Sequence, residues 1–131
     1  MPRALVVDDQ ADVRTMISMV LRINHFEVVE AHSAASGLKA SENSGFDVAI
    51  VDIFLQGANG SELIGTLRSR NPPLPVVAIS GITALDFLSG TPELAEVVCL
   101  QKPFRPADLM RAIEAARHPA WRLEGASAVA L

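Results

Sequence analysis

The apolar pattern of this chain switches about five times between short β-type runs and helical periodicity, and no other feature constrains its fold as tightly. Short apolar runs suit strands buried on both faces, and amphipathic stretches between them suit helices that cover those faces. The combination predicts an α/β domain built on a parallel sheet. Five strands are expected at residues 4–7, 27–31, 48–51, 76–79 and 97–100.

Between the first two strands, Val13, Met16, Ile17, Val20 and Leu21 recur at helical spacing, so they form one apolar stripe on a helix that Asp12 can cap. Ser33 is placed to cap the next helix. Gly60 or Ser61 opens a third, with Leu63, Ile64 and Leu67 facing inward, and Asn71, Pro72 and Pro73 stop it. Pro106 suits the first turn of the last helix, whose stripe is Leu109, Met110 and Ile113. The weak segment is 83–96, where Gly90, Thr91 and Pro92 interrupt what should be a fourth helix, so a short or broken element is expected.

With 131 residues, the chain fits one domain, expected over residues 1–117, followed by a flexible tail over 118–131 that contains Trp121. Fifteen acidic against eleven basic residues, with no Lys/Arg run, speak against direct nucleic-acid binding or an anionic membrane surface. No apolar run is long enough for a membrane span. The single Cys99 excludes an internal disulfide and suits a small core residue in a reducing, cytoplasmic setting.

Ligands of an open parallel sheet sit beyond the carboxyl ends of its strands, where strand order reverses. Asp8 and Asp9 follow the first strand and Asp52 ends the third. In the strand order 2-1-3-4-5 these two strands are neighbours, so the three carboxylates converge, with Ser80 and Lys102 on the same rim. One aspartate alone would read as a cap or turn residue. Three together repel one another and are relieved by a cation. An all-oxygen set without clustered His or Cys favours a hard ion, Mg2+ in particular. Lys102 is one of two lysines among nine arginines, and its compact ammonium fits beside a single phosphoryl oxygen. Pro103 follows it, and an X-Pro bond can be cis.

Read in order, Val6-Val7-Asp8-Asp9, then Val51-Asp52-Ile53 with Gly60 eight positions after the aspartate, then Ile79-Ser80-Gly81, then Lys102-Pro103-Phe104, the chain resembles the receiver domain of two-component response regulators over residues 3–117. The resemblance implies a flavodoxin-like three-layer sandwich: a five-stranded parallel sheet in the order 2-1-3-4-5 with about five helices. It further implies that Asp52 accepts a phosphoryl group from a histidine kinase or a histidine phosphotransfer protein. Asp9, Asp52 and the Phe54 carbonyl would ligate Mg2+, Asp8 would act through water, and Ser80 and Lys102 would bind the phosphoryl oxygens. A stand-alone receiver acting through an unnamed downstream protein is the expected context, and a piece of a hybrid kinase or multidomain regulator is the alternative.

Three positions depart from the family's usual pattern. Gln56 stands where proline is common, Gly81 where alanine is common, and Cys99 where the family has its switch aromatic. Output is therefore expected to run through the 81–96 segment, with Leu85, Phe87 and Leu88 as partner-facing groups. Phe54 and Ile82 are expected to flank the phosphoryl group and shield it from water. A dehalogenase-type phosphatase would need an aspartate where Phe54 stands. A flavin carrier would not place Asp8 and Asp9 against a phosphate. A receiver-like module that works without phosphorylation is opposed by the intact acid set.

Overall fold

A computed structural model of the protein describes residues 1–42, 45–56, 58–70, 74–81 and 97–118. The elements are β1 (Arg3–Val7), α1 (Ala11–Ile23), β2 (Glu27–Ala31), α2 (Ala34–Ser41), β3 (Val48–Asp52), β4 (Phe54–Leu55), β5 (Ala58–Asn59), α3 (Gly60–Arg70), β6 (Val76–Ser80), β7 (Val98–Gln101) and α4 (Pro106–Arg117). Five strands form one sheet in the order β2-β1-β3-β6-β7, all parallel. Counted along the chain, these five follow the expected order 2-1-3-4-5. The addition is a two-stranded antiparallel pair, β4 with β5, directly after β3.

The sheet is covered on both sides because its strand residues alternate strictly between two apolar clusters. Ala4, Val6, Val48, Ile50, Val77 and Ile79 pack with Ile17 and Leu21 of α1 and with Leu109 and Ile113 of α4. Leu5, Val7, Ala49, Val51, Ala78 and Cys99 pack on the other side with Leu63, Ile64 and Leu67 of α3. The central strands β3 and β6 are buried at every position, as a sheet sandwiched between helices requires. Cys99 is a buried core residue, and burial pushes its thiol pKa up.

Four helices lie among the described residues, against about five expected. The interrupted segment 83–96, with Leu85, Phe87 and Leu88, lies outside the described residues, as do Ile82, residues 71–73 and the tail from 119 onward with Trp121. Ser33 caps α2 in a reciprocal capping box with Ser36. Pro106 occupies the first turn of α4, and Asp108 accepts the amide of Arg105 at 3.0 Å. Asp12 does not cap α1. That place is taken by Gln10, whose backbone is extended and whose side chain makes no cap hydrogen bond, while Asp12 sits in the first turn, where its charge still favours the helix N-terminus. The helix starts earlier than the apolar stripe because Arg14 already donates its backbone amide to the Gln10 carbonyl.

Candidate functional site

The carboxyl edge of the sheet is assembled by strand register. Val7 of β1 pairs with Val51 of β3, so the residues just beyond them, Asp8 and Asp52, emerge side by side. Asp52 in turn pairs with Ile79, which brings Ser80 to the same rim at the end of β6. Ser80 pairs with Gln101 and its carbonyl accepts the Lys102 amide at 2.7 Å, so the chain leaves β7 with Lys102 at the edge. The Lys102-Pro103 peptide is cis.

Asp8, Asp9 and Asp52 each offer a carboxylate oxygen within 4.8 Å of the others. Asp8 and Asp52 are buried and Asp9 is half-buried. The Asp8 pair of oxygens is divided: Oδ1 accepts the Gln10 amide at 2.8 Å, while Oδ2 is buried without a hydrogen bond. Lys102 Nζ approaches that oxygen at 3.5 Å, an ion-pair distance. Burial pushes the Asp8 pKa up, the Asp52 charge adds to that rise, and the Gln10 amide and the Lys102 ammonium oppose it. A buried carboxylate oxygen with an unmet lone pair, beside two further carboxylates, fits a hard divalent cation such as Mg2+.

Asp52 is held from two directions. Its Oδ1 accepts the Phe54 amide at 2.9 Å and its Oδ2 accepts Lys102 Nζ at 3.0 Å. Lys102 Nζ also donates to Gln10 Oε1 at 2.8 Å, so the ammonium spans the loop after β1 and the end of β3. Asp9 Oδ2 accepts the backbone amide of Gln56, from the turn between β4 and β5, at 2.8 Å. Behind the acids, Arg14 Nη1 donates to the Asp8 carbonyl at 2.8 Å while its Nε donates to Glu30 Oε1 at 3.1 Å. The loop carrying Asp8 and Asp9 is therefore anchored to α1 and β2.

Thus Asp8, Asp9, Asp52 and Lys102 are brought together, and Ser80 is buried on the adjacent strand. Phe54 meets Asp52 through its amide, and the residue is 55% exposed. Three residues not expected at the site also contribute: Gln10, Arg14 and Gln56. Gln10 looks like any polar residue after a strand, Arg14 sits outside the apolar stripe of α1, and Gln56 acts through a backbone amide that every residue except proline owns. Gly81 lies exposed just after β6.

Comparison with known proteins gives a consistent result. The sequence model of the response regulator receiver domain matches residues 4–114. The transcriptional regulatory protein PrrA of Mycobacterium tuberculosis is 31% identical over 114 residues, 87% of this chain and 49% of that protein. The chain spans about half the length of the curated relatives it matches. Among solved structures, the receiver domain of NtrX from Brucella abortus superposes with a TM-score of 0.78 at 32% identity, covering 87% of this chain and 97% of that one. The chemotaxis protein CheY4 of Vibrio cholerae gives a TM-score of 0.81 at 26% identity, covering 88% and 98%.

Proposed function

Because the chain belongs to the response regulator receiver domain family, we propose that Asp52 accepts a phosphoryl group from a histidine kinase or histidine phosphotransfer protein, with Mg2+ as cofactor. The observation that supports Asp52 as acceptor is its dual environment: Lys102 Nζ lies 3.0 Å from its Oδ2, and the carboxylates of Asp8 and Asp9 flank it. Lys102 lies closer to Asp52, at 3.0 Å, than to Asp8, at 3.5 Å.

In this reading Asp8, Asp9, Asp52 and the Phe54 carbonyl hold the ion, Asp8 through water. When bound, the ion supplies charge neutralisation for the carboxylates and the incoming phosphoryl oxygens. The protein's own part is positioning. The Phe54 amide on Oδ1 and Lys102 on Oδ2 fix the Asp52 carboxylate plane, so that one oxygen attacks phosphorus in line as the bond to the donor imidazole nitrogen breaks. The Lys102 ammonium and the Ser80 hydroxyl then receive phosphoryl oxygens.

This is a phosphoacceptor signalling domain that assists its own phosphoryl transfer and hydrolysis, not a turnover enzyme. Added negative charge at Asp52 biases the surface that meets a downstream protein. Residues 1–117 carry this activity and 118–131 form a tail beyond it. No helix among the described residues is long and apolar enough to cross a membrane. A cytoplasmic setting and the absence of direct nucleic-acid contact by this chain remain part of the proposal, supported by the lone buried cysteine and the acidic balance.

Incubation with acetyl phosphate and Mg2+, followed by intact mass analysis, tests the assignment. Wild type should gain one phosphoryl group only with the ion present, and Asp52→Asn should gain none. Uptake by Asp52→Asn at the wild-type rate would show that another residue is the acceptor.

A further inference from the structure

We propose that the backbone amide of Gln56 is a positioning group for Asp9, latching the β4–β5 turn onto the acidic loop so that the carboxylate trio is preorganised for its cation. The inference rests on the metal site of the preceding reading and names a group which that reading does not use.

The amide of Gln56 lies 2.8 Å from Asp9 Oδ2, across 47 positions of sequence. An N–H donating to a carboxylate is a charge-assisted bond, shorter and stronger than a neutral one. Asp9 is the half-buried member of the trio, so without a tether its carboxylate is the one able to swing towards water. It has reason to swing, because its oxygen lies within 4.8 Å of the Asp8 and Asp52 oxygens and like charges at that range repel. The Gln56 amide opposes that motion by engaging one of the two Asp9 oxygens. The antiparallel pairs Phe54 with Asn59 and Leu55 with Ala58 stiffen the turn that presents the amide. The same short segment gives the Phe54 amide to Asp52, so one hairpin orients two of the three carboxylates. Donors behind metal-binding carboxylates of this kind typically account for about tenfold or more in metal affinity.

The bond belongs to the main chain, which makes a clean substitution pair possible. Gln56→Ala keeps the amide and removes the side chain. Gln56→Pro removes the amide, and two steric bars to proline are absent: Leu55 before it is extended, and no left-handed φ occurs at Gln56. Calorimetric titration of the full chain with Mg2+ alone is the measurement, after thermal melts confirm folding. Gln56→Ala should bind within about twofold of wild type, and Gln56→Pro about tenfold more weakly. Equal binding by Gln56→Pro, or equal weakening by Gln56→Ala, overturns the latch while leaving the metal site standing.

Wild type that binds no Mg2+, or an Asp9→Asn variant that binds as wild type does, overturns the metal site itself and the latch with it. If Gln56→Pro fails to fold, amide proton NMR of wild type decides. The Gln56 amide should be protected from exchange before Mg2+ is added and remain so after saturation. Release of that amide on saturation would make it a competitor of the ion and refute preorganisation.

Discussion

Lys102 Nζ hydrogen-bonds Asp52 Oδ2 at 3.0 Å and stands 3.5 Å from the buried Asp8 Oδ2, so a single ammonium offsets two carboxylates on two neighbouring strands. Its charge has opposite effects on the two ligands of this site. It attracts phosphoryl oxygens and repels a divalent cation. Lys102→Met should therefore lose most of its labelling by acetyl phosphate at saturating Mg2+, while binding Mg2+ about fivefold more tightly, from about 1 kcal/mol of relieved repulsion. Calorimetry and intact mass on the same preparation check both directions, and weakened Mg2+ binding would contradict the charge argument.

Asp8 couples the site to stability and pH. Burial raises its pKa above the ordinary carboxylate value, so in the window between the two the native state holds more protons than the unfolded one. Without metal, stability from this group is then lost as pH rises through the raised pKa and recovered as pH falls towards the ordinary one. Asp8→Asn, which can keep the hydrogen bond from the Gln10 amide, should melt higher than wild type at neutral pH without metal, by roughly 1 kcal/mol or a few degrees. The difference should shrink as pH is lowered. Saturating Mg2+ should reverse the order, since wild type gains about 2.7 kcal/mol at one hundred times Kd and the variant far less. Melting curves with Mg2+ and with a chelator read both effects.

Gly60 is required by close approach. A Cβ there would stand 2.2 Å from the Asp52 carbonyl oxygen and 2.7 Å from Ile53 Cα, both main-chain atoms. The Gly60 amide also donates to the Ile53 carbonyl at 2.8 Å, tying the start of α3 to the end of β3. Gly60→Ala has to push the acceptor strand aside, so a loss of about 1–3 kcal/mol is expected. Denaturant unfolding measures it. Labelling of whatever folded protein remains should also slow, because one of the displaced atoms is the carbonyl oxygen of Asp52 itself.

Phe54 stands two residues beyond Asp52 and is more than half exposed, so its ring lies at the surface. An apolar ring cannot orient an attacking water. Phe54→Asn should shorten the half-life of the phosphorylated protein by five- to thirtyfold, the equivalent of about 1–2 kcal/mol. Decay followed by intact mass after removal of acetyl phosphate gives the rate, and an unchanged half-life would remove Phe54 from the shielding role.

Cys99 is buried in β7, and that burial raises its thiol pKa. Native protein should therefore react with a maleimide orders of magnitude more slowly than denatured protein. Mass analysis of timed alkylation reads this directly. Fast native labelling would show that the β7 region opens far more readily than its burial implies.

How far the sequence alone reached can be judged residue by residue. Asp8, Asp9, Asp52 and Lys102 were legible because each sits at the end of an apolar run, and in a parallel sheet the end of a run is a place in space. The sheet order was legible for the same reason: the two periodicities alternate, and covering both faces leaves few arrangements. The Ser33 cap and the Pro106 start followed from local chemistry that needs no partner far away. The Asp12 cap failed because a cap is decided by where the backbone enters the helix, and here it enters at Gln10, two residues earlier, without a side-chain cap bond. The β4–β5 pair is too short to leave a period in the sequence.

Residue order alone thus dictates the alternation of buried strands and amphipathic helices, and hence which residues reach the carboxyl edge. How those residues are held emerges only in the folded chain: Lys102 shared between Gln10 and Asp52, Arg14 gripping the Asp8 carbonyl, and the Gln56 amide on Asp9. Burial follows side-chain chemistry, which is written in residue identity. Long-range hydrogen bonds depend on where the backbone carries each group, and for the Asp8 carbonyl and the Gln56 amide the group itself is one that nearly every residue type presents.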